Sequence, residues 1–148
     1  IECVVFEHGG TLDKFLGDGV MVTFGTPMPG TTDAANAIRA ARAIVTAIDA
    51  IGEGLHVVVG AHYGRAIVGN VGPDRRLEFA VLGDTVNVAS RLESVTRELS
   101  ARIVLSSTLV DTARAQGLAQ EALEGFVPCP GLMLRGRHAS VDAWCLRP

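Results

Sequence analysis

Phe79-Ala80-Val81-Leu82-Gly83-Asp84-Thr85-Val86-Asn87-Val88-Ala89-Ser90-Arg91-Leu92-Glu93 changes its hydrophobic period at a glycine. Before Gly83, Leu77 to Leu82 is a short extended run. After it, Val88, Leu92, Val95 and Leu99 recur at helical spacing, so Thr85 to Leu99 reads as a helix. Asp84 stands where a side chain can cap the first turn. Asn87 and Arg91 are four apart and therefore neighbour each other on that helix. They occupy its first turns, where unpaired N–H groups and the helix dipole favour anions. A carboxamide and a guanidinium placed there suit a ribose and a phosphate. Taken alone, the segment reads first as a capped surface helix with a solvated arginine.

Upstream, the valine-rich run Leu55 to Tyr63 predicts a strand, Gly64 turns the chain, and Ala66 to Val71 predicts a second strand before the loop Gly72-Pro73-Asp74. Gly60, Gly64, Gly69 and Gly72 follow neither GxGxxG nor GxxxxGK[ST], so they are assigned to turns and close strand packing. Ala34, Ala37, Ile38, Ala41, Ile44, Val45, Ile48 and Ile51 mark a helix that Thr31, Thr32 or Asp33 can cap and that ends near Gly52. Thr11 to Leu16 and Val20 to Phe24 flank Gly17-Asp18-Gly19 and read as a hairpin, after a helix end over residues 1–8 that Gly9-Gly10 stops. Downstream, Ile103 to Leu105 reads as a strand, Ser106 or Ser107 caps a helix to about Gln116, and Glu121 to Leu146 reads as strands and turns. Hairpins with interspersed helices predict an α+β fold rather than strict βαβ alternation.

In Lys14-Phe15-Leu16-Gly17-Asp18 a strand puts Lys14 and Leu16 on one face and Asp18 at the hairpin tip. A carboxylate at a rigid tip can meet a hard cation such as Mg²⁺, although Asp is also an ordinary turn residue.

The composition narrows the alternatives. The 148 residues are 48% hydrophobic and 20% charged, values of a single globular domain rather than a disordered chain. With a net charge of −3 and Arg75-Arg76 as the nearest approach to a basic cluster, nothing points to nucleic acid, and those arginines read as a solvated loop. Cys3, Cys129 and Cys145 are too scattered for a zinc or CxxC motif and fit inert, partly buried thiols in a reducing compartment; the four histidines show no metal-binding spacing. No apolar run reaches spanning length. The chain starts without Met inside an apolar stretch, which predicts a piece of a longer protein; any membrane attachment is expected upstream.

Taken jointly and in order, Lys14-Phe15-Leu16-Gly17-Asp18-Gly19, Gly60-Ala61-His62-Tyr63-Gly64 and the Phe79–Glu93 block resemble the class III adenylyl/guanylyl cyclase catalytic domain. The likeness spans nearly all of residues 1–148, taken as one partial catalytic domain. The resemblance implies a ferredoxin-like α+β nucleotidyl cyclase fold, here lacking the first strand and helix. It implies a head-to-tail homodimer with shared active sites, in which Lys14 and Asp18 face Asn87 and Arg91 of a second copy. It also implies a cytoplasmic catalytic domain, ATP as substrate, and two divalent metal ions, Mg or Mn, held by two Asp carboxylates.

Residue by residue, Asp18 falls on the second metal-binding Asp. Lys14 falls on the purine-selecting position, where adenylyl cyclases carry Lys, a donor to adenine N1, and guanylyl cyclases Glu. Asn87 falls on the ribose-orienting Asn, and Arg91 on the Arg that stabilises charge in the transition state. Three positions depart from the family. The first metal Asp lies upstream of Ile1, so residues 1–148 alone are expected to turn over little substrate. Ala80 stands where adenylyl cyclases place a second adenine contact, usually Asp or Thr. Val141 stands near a phosphate-binding Lys, for which Arg135 or Arg137 is a candidate substitute. These departures keep a silent regulatory module as an alternative to an adenylyl cyclase; Lys14 disfavours a guanylyl cyclase.

Overall fold

The computed structural model describes residues 1–148 apart from Glu53, Arg76 and Leu77, and Glu78 by its backbone alone. The chain runs α1 (Glu2–Glu7), β1 (Gly10–Leu16), β2 (Gly19–Phe24), α2 (Asp33–Ile51), β3 (Val59–Ala61), β4 (Ile67–Val71), β5 (Glu78–Leu82), α3 (Asp84–Leu99), β6 (Ile103–Ser106), α4 (Ser107–Ala115), β7 (Phe126–Leu132) and β8 (Val141–Leu146), with a 3-10 turn at Gln120–Leu123 before β7.

Every residue of β6 is buried, and alternate side chains of a strand go to opposite faces. Ile103 and Leu105 enter one core with Ile38 and Ala41 of α2 and Leu109 and Val110 of α4. Val104 enters a second core with Val88 and Leu92 of α3 and Ala143 and Cys145 of β8. The sheet β3-β6-β8-β7 thus separates α2 and α4 from α3. β3 is parallel to β6, and β8 is antiparallel to both β6 and β7. This is the expected α+β arrangement. Two hairpins, β1–β2 and β4–β5, form two-stranded sheets of their own. The first packs on α1 and α2.

Gly60 fixes the seat of α3. A Cβ there would run into the backbone of Glu93 and come within 2.7 Å of the Ala89 carbonyl oxygen. Only glycine lets the helix lie this close to β3.

Several expectations are corrected. The predicted strand Leu55–Tyr63 shrinks to Val59–Ala61, because its partner β6 is only four residues long and the ladder covers Val59↔Ile103 to Ala61↔Leu105. None of the offered caps of α2 bonds its first turn: Thr32 Oγ1 accepts from the Asn36 side chain at 3.2 Å, and Asp33 accepts from Gly30 N at 2.5 Å. Ile51, at the end of the predicted stripe, is exposed, whereas Ala35 and Ala40 are buried. Asp84 is the first residue of α3 without capping it. Ser106 caps α4 as expected, accepting from Leu109 N at 3.2 Å. Of the thiols, Cys145 is buried, Cys129 half-buried and Cys3 exposed, so Cys3 departs from the partly buried set. Burial pushes the Cys145 thiol up to about 12, with Cys129 beside it adding to the shift. Arg76 and Leu77, the second member of the arginine pair and the start of the predicted run into β5, lie outside the described residues. Among the described residues no helix is long and apolar enough to cross a membrane.

Candidate active site

The β1–β2 hairpin closes with Leu16 opposite Gly19, leaving Gly17 and Asp18 as a two-residue loop. Gly17 takes φ +64°, a left-handed value that a side chain disfavours in so tight a turn. Asp18 is therefore an exposed carboxylate at a tight two-residue tip, where the sequence places it. One turn back, the pairing shifts between Leu12 and Lys14, which makes Asp13 the extra residue of a bulge. The bulge brings two adjacent side chains together: Lys14 Nζ lies 3.5 Å from Asp13 Oδ2. The Asp13 side chain is only 5% exposed, and Oδ2 has no hydrogen-bond partner, so its stabilising neighbour is the half-exposed Lys14 ammonium. Nothing in the local pattern marks Asp13 as buried, because it is a bulge that turns it inward.

On α3, Asn87 is exposed and Arg91 half-buried. The Arg91 guanidinium lies against Gly136, where a Cβ would come within 3.4 Å of Nη2. Arg91, Arg135 and Gly136 line one side of a cleft of about 740 Å³, with Ser94 and Glu98 also on its wall. Ala80, half-buried on β5 opposite Gly69, presents only a methyl group. Among the described residues no hydrogen bond or ion pair joins Lys14 or Asp18 to Asn87 or Arg91. The candidate residues form two groups on separate elements.

A second cleft, of about 350 Å³, adjoins the start of α3 and contains His62, Asp84 and Arg137. Arg137 Nη1 donates to Asp84 Oδ2 at 2.5 Å. That bond holds the Asp84 carboxyl below its ordinary value, with the charges of Arg91 and His62 acting in the same direction. His62 Nδ1 is 2.8 Å from Ser106 Oγ. Burial, followed by the charge of Arg137, holds His62 below 6.5, against the opposing charge of Asp84. Val141 lines this cleft, not the one beside Arg91. Of the two arginines offered in place of a phosphate-binding lysine, Arg135 lines the same cleft as Arg91 and Arg137 is engaged with Asp84.

Residues 7–136 match the family described as the adenylate and guanylate cyclase catalytic domain. The chain belongs to that family. Adenylate cyclase 1 of Rhizobium meliloti (strain 1021) is 31% identical over 95% of this chain. The chain spans about a fifth of that relative's length, 21%. The adenylyl cyclase CyaB from P. aeruginosa superposes with a TM-score of 0.79 at 26% identity, covering 99% of this chain and 76% of that one. The guanylyl cyclase Cya2 superposes with a TM-score of 0.68 at 27% identity, covering 97% and 73%. All the candidate residues of this cyclase domain, from Lys14 to Arg91, fall within the matched span.

Cyclase domains of this family use divalent metals. Among the described residues no three His, Cys, Asp or Glu side chains are grouped so as to hold one. Asp18 by itself is not a metal site. Mg²⁺, however, is commonly held by one or two carboxylates together with substrate phosphates and water. An exposed carboxylate on a rigid turn fits one such position.

Proposed function

We propose that the chain, residues 1–148, is catalytic-domain sequence of an adenylyl cyclase that converts ATP to cyclic AMP and pyrophosphate. The observation that carries this reading is the Lys14–Asp18 hairpin. It holds a cation able to donate to adenine N1 and a carboxylate suited to a phosphate-bound metal on one rigid element. Bound Mg²⁺ or Mn²⁺, two ions by family resemblance, would supply electrostatic stabilisation of the triphosphate and activate the ribose 3′-oxygen. In the reaction that oxygen loses its proton and bonds to the α-phosphorus, while the bond from the α-phosphorus to the pyrophosphate oxygen breaks. Asn87 orients the ribose by hydrogen bonding. Arg91 meets charge that grows toward the transition state, and Arg135, on the same cleft, is available to the departing phosphates.

The site is completed between two copies of the chain. Lys14 and Asp18 sit on a hairpin that packs on α1 and α2, whereas Asn87 and Arg91 sit on a helix that packs on β3, β5 and β6. Exposed apolar side chains on the two hairpins support a homodimer: Phe15 is 75% exposed, Ile67 73% and Phe79 47%. A cytoplasmic location accords with an ATP substrate.

A catalytically silent regulatory module is the second reading, and Ala80 is what favours it, since its methyl group cannot recognise a base. Incubating the full-length protein with ATP or GTP, with Mg²⁺ or Mn²⁺, separates the readings. Cyclic AMP formed in preference to cyclic GMP is the expected result. A folded, dimeric protein inactive with both metals supports the silent module, and preferential use of GTP contradicts the adenylyl assignment.

A further inference from the structure

The segment between β7 and β8 is tied down at two points. Leu134, 3% exposed, enters the core shared with Val88 and Leu92. Three residues on, Arg137 closes a turn by donating its backbone N–H to the Leu134 carbonyl at 3.0 Å. Its side chain crosses to the first residue of α3, Asp84, at 2.5 Å. The two residues between these anchors are Arg135 and Gly136: Gly136 lies against the Arg91 guanidinium, and Arg135 lines the same cleft as Arg91. Gly136 adopts φ +76°, which favours glycine, and a Cβ there would stand in contact with the Arg91 guanidinium. Two arginines thus line one cleft, with the Glu98 carboxylate also on its wall.

We infer that the Asp84–Arg137 pair is a positioning clasp: it holds the 134–137 turn against α3 so that Arg91 and Arg135 form a preorganised cradle for a polyphosphate. The inference deepens the cyclase reading, from which the polyphosphate comes. Asp84 touches no substrate in this scheme. The pair is a half-exposed contact whose stabilising effect is small. Its role is to orient: with Asp84 removed, the Arg137 guanidinium loses its partner while Nε stays buried without one, and the turn keeps only its backbone bond and the buried Leu134.

Inorganic tripolyphosphate is the probe, titrated calorimetrically into the full chain and into Asp84→Asn, Arg137→Gln, Arg137→Lys and the Asp84→Asn/Arg137→Gln double variant. Simple electrostatics predicts that Asp84→Asn, which removes a negative charge near the cleft, binds the anion more tightly. The clasp predicts the opposite: Asp84→Asn and Arg137→Gln each weaken binding about tenfold, and the double variant is no worse than Arg137→Gln alone, as expected of residues acting as one unit. Arg137→Lys retains affinity within about threefold, because a charged partner for Asp84 remains. Asp84 is exposed, so Asp84→Asn keeps the test decisive even if Arg137→Gln fails to fold. Tighter or unchanged binding by Asp84→Asn, additive losses in the double variant, or no tripolyphosphate binding by the unaltered chain overturns the clasp. The same binding pattern in a protein that makes no cyclic nucleotide overturns the cyclase reading and leaves the clasp standing.

Discussion

The hairpin that carries Lys14 and Asp18 and the helix that carries Asn87 and Arg91 are built in different ways. The hairpin is local: its turn, its left-handed glycine and its bulge all lie within residues 10–24, and its tip is exposed. The helix face is tertiary. Arg91 owes its surroundings to Gly136, and Asp84 owes its partner to Arg137, 53 residues away. A local element presents a charge to whatever approaches it. A tertiary one can aim a charge at a fixed point, which is what stabilising a transition state requires.

The largest effect expected is at the tip. Asp18→Ala abolishes cyclic AMP formation by the full-length protein and weakens metal-dependent nucleotide binding. Because the residue is exposed, the melting temperature stays within a degree or two. Arg91→Ala comes next: kcat falls by about 10²–10³, the scale of one preorganised charge-stabilising donor, while KM changes little. A variant that raises only KM contradicts the transition-state role and makes the two regions alike. Lys14→Glu is smaller and selective. It erodes the preference for ATP over GTP by about 1–3 kcal/mol, the worth of one buried hydrogen-bond partner, measured as the ratio of kcat/KM values. The starting preference is itself expected to be modest, because Ala80 offers no hydrogen-bonding side chain.

The smallest effect concerns pH and belongs to the helix region alone. His62 is held below 6.5 in the folded chain. The unfolded chain therefore takes up a proton first as pH falls, and the stability present above 6.5 is lost as pH drops through the lowered folded value. Thermal melts between about pH 7.5 and pH 5.5 should show this decline, and His62→Gln should flatten it. An equal decline in His62→Gln places the titrating group elsewhere.

The same contrast explains what was legible in the amino-acid order. Short-range rules sufficed for the hairpin, the α3 stripe of Val88 and Leu92, and the Ser106 cap, because each is decided within a few residues. They failed where a distant partner intervenes. Val57 and Val58 are as β-prone as Val59, yet lie outside the three-residue ladder with β6. Asp84 reads as a cap, but Gly83 takes that position and the Asp84 carboxylate goes to Arg137. Asp13 is turned inward by a bulge that no local pattern announces. In the candidate site, Lys14, Asp18, Asn87 and Arg91 were recognisable together from motif order. The placement of Arg135 on the Arg91 cleft, and of Arg137 against Asp84, needed the fold.

If the site is shared between copies, hairpin and helix need not come from the same chain. Asp18→Ala and Arg91→Ala proteins, each inactive or nearly so alone, can be mixed and assayed for cyclic AMP. Random pairing makes half of the dimers mixed, each with one intact site and one doubly damaged, so activity should return to roughly a quarter of the unaltered protein's. A mixture no more active than its components, although the chains exchange and dimerise, would mean that each site is completed within one chain.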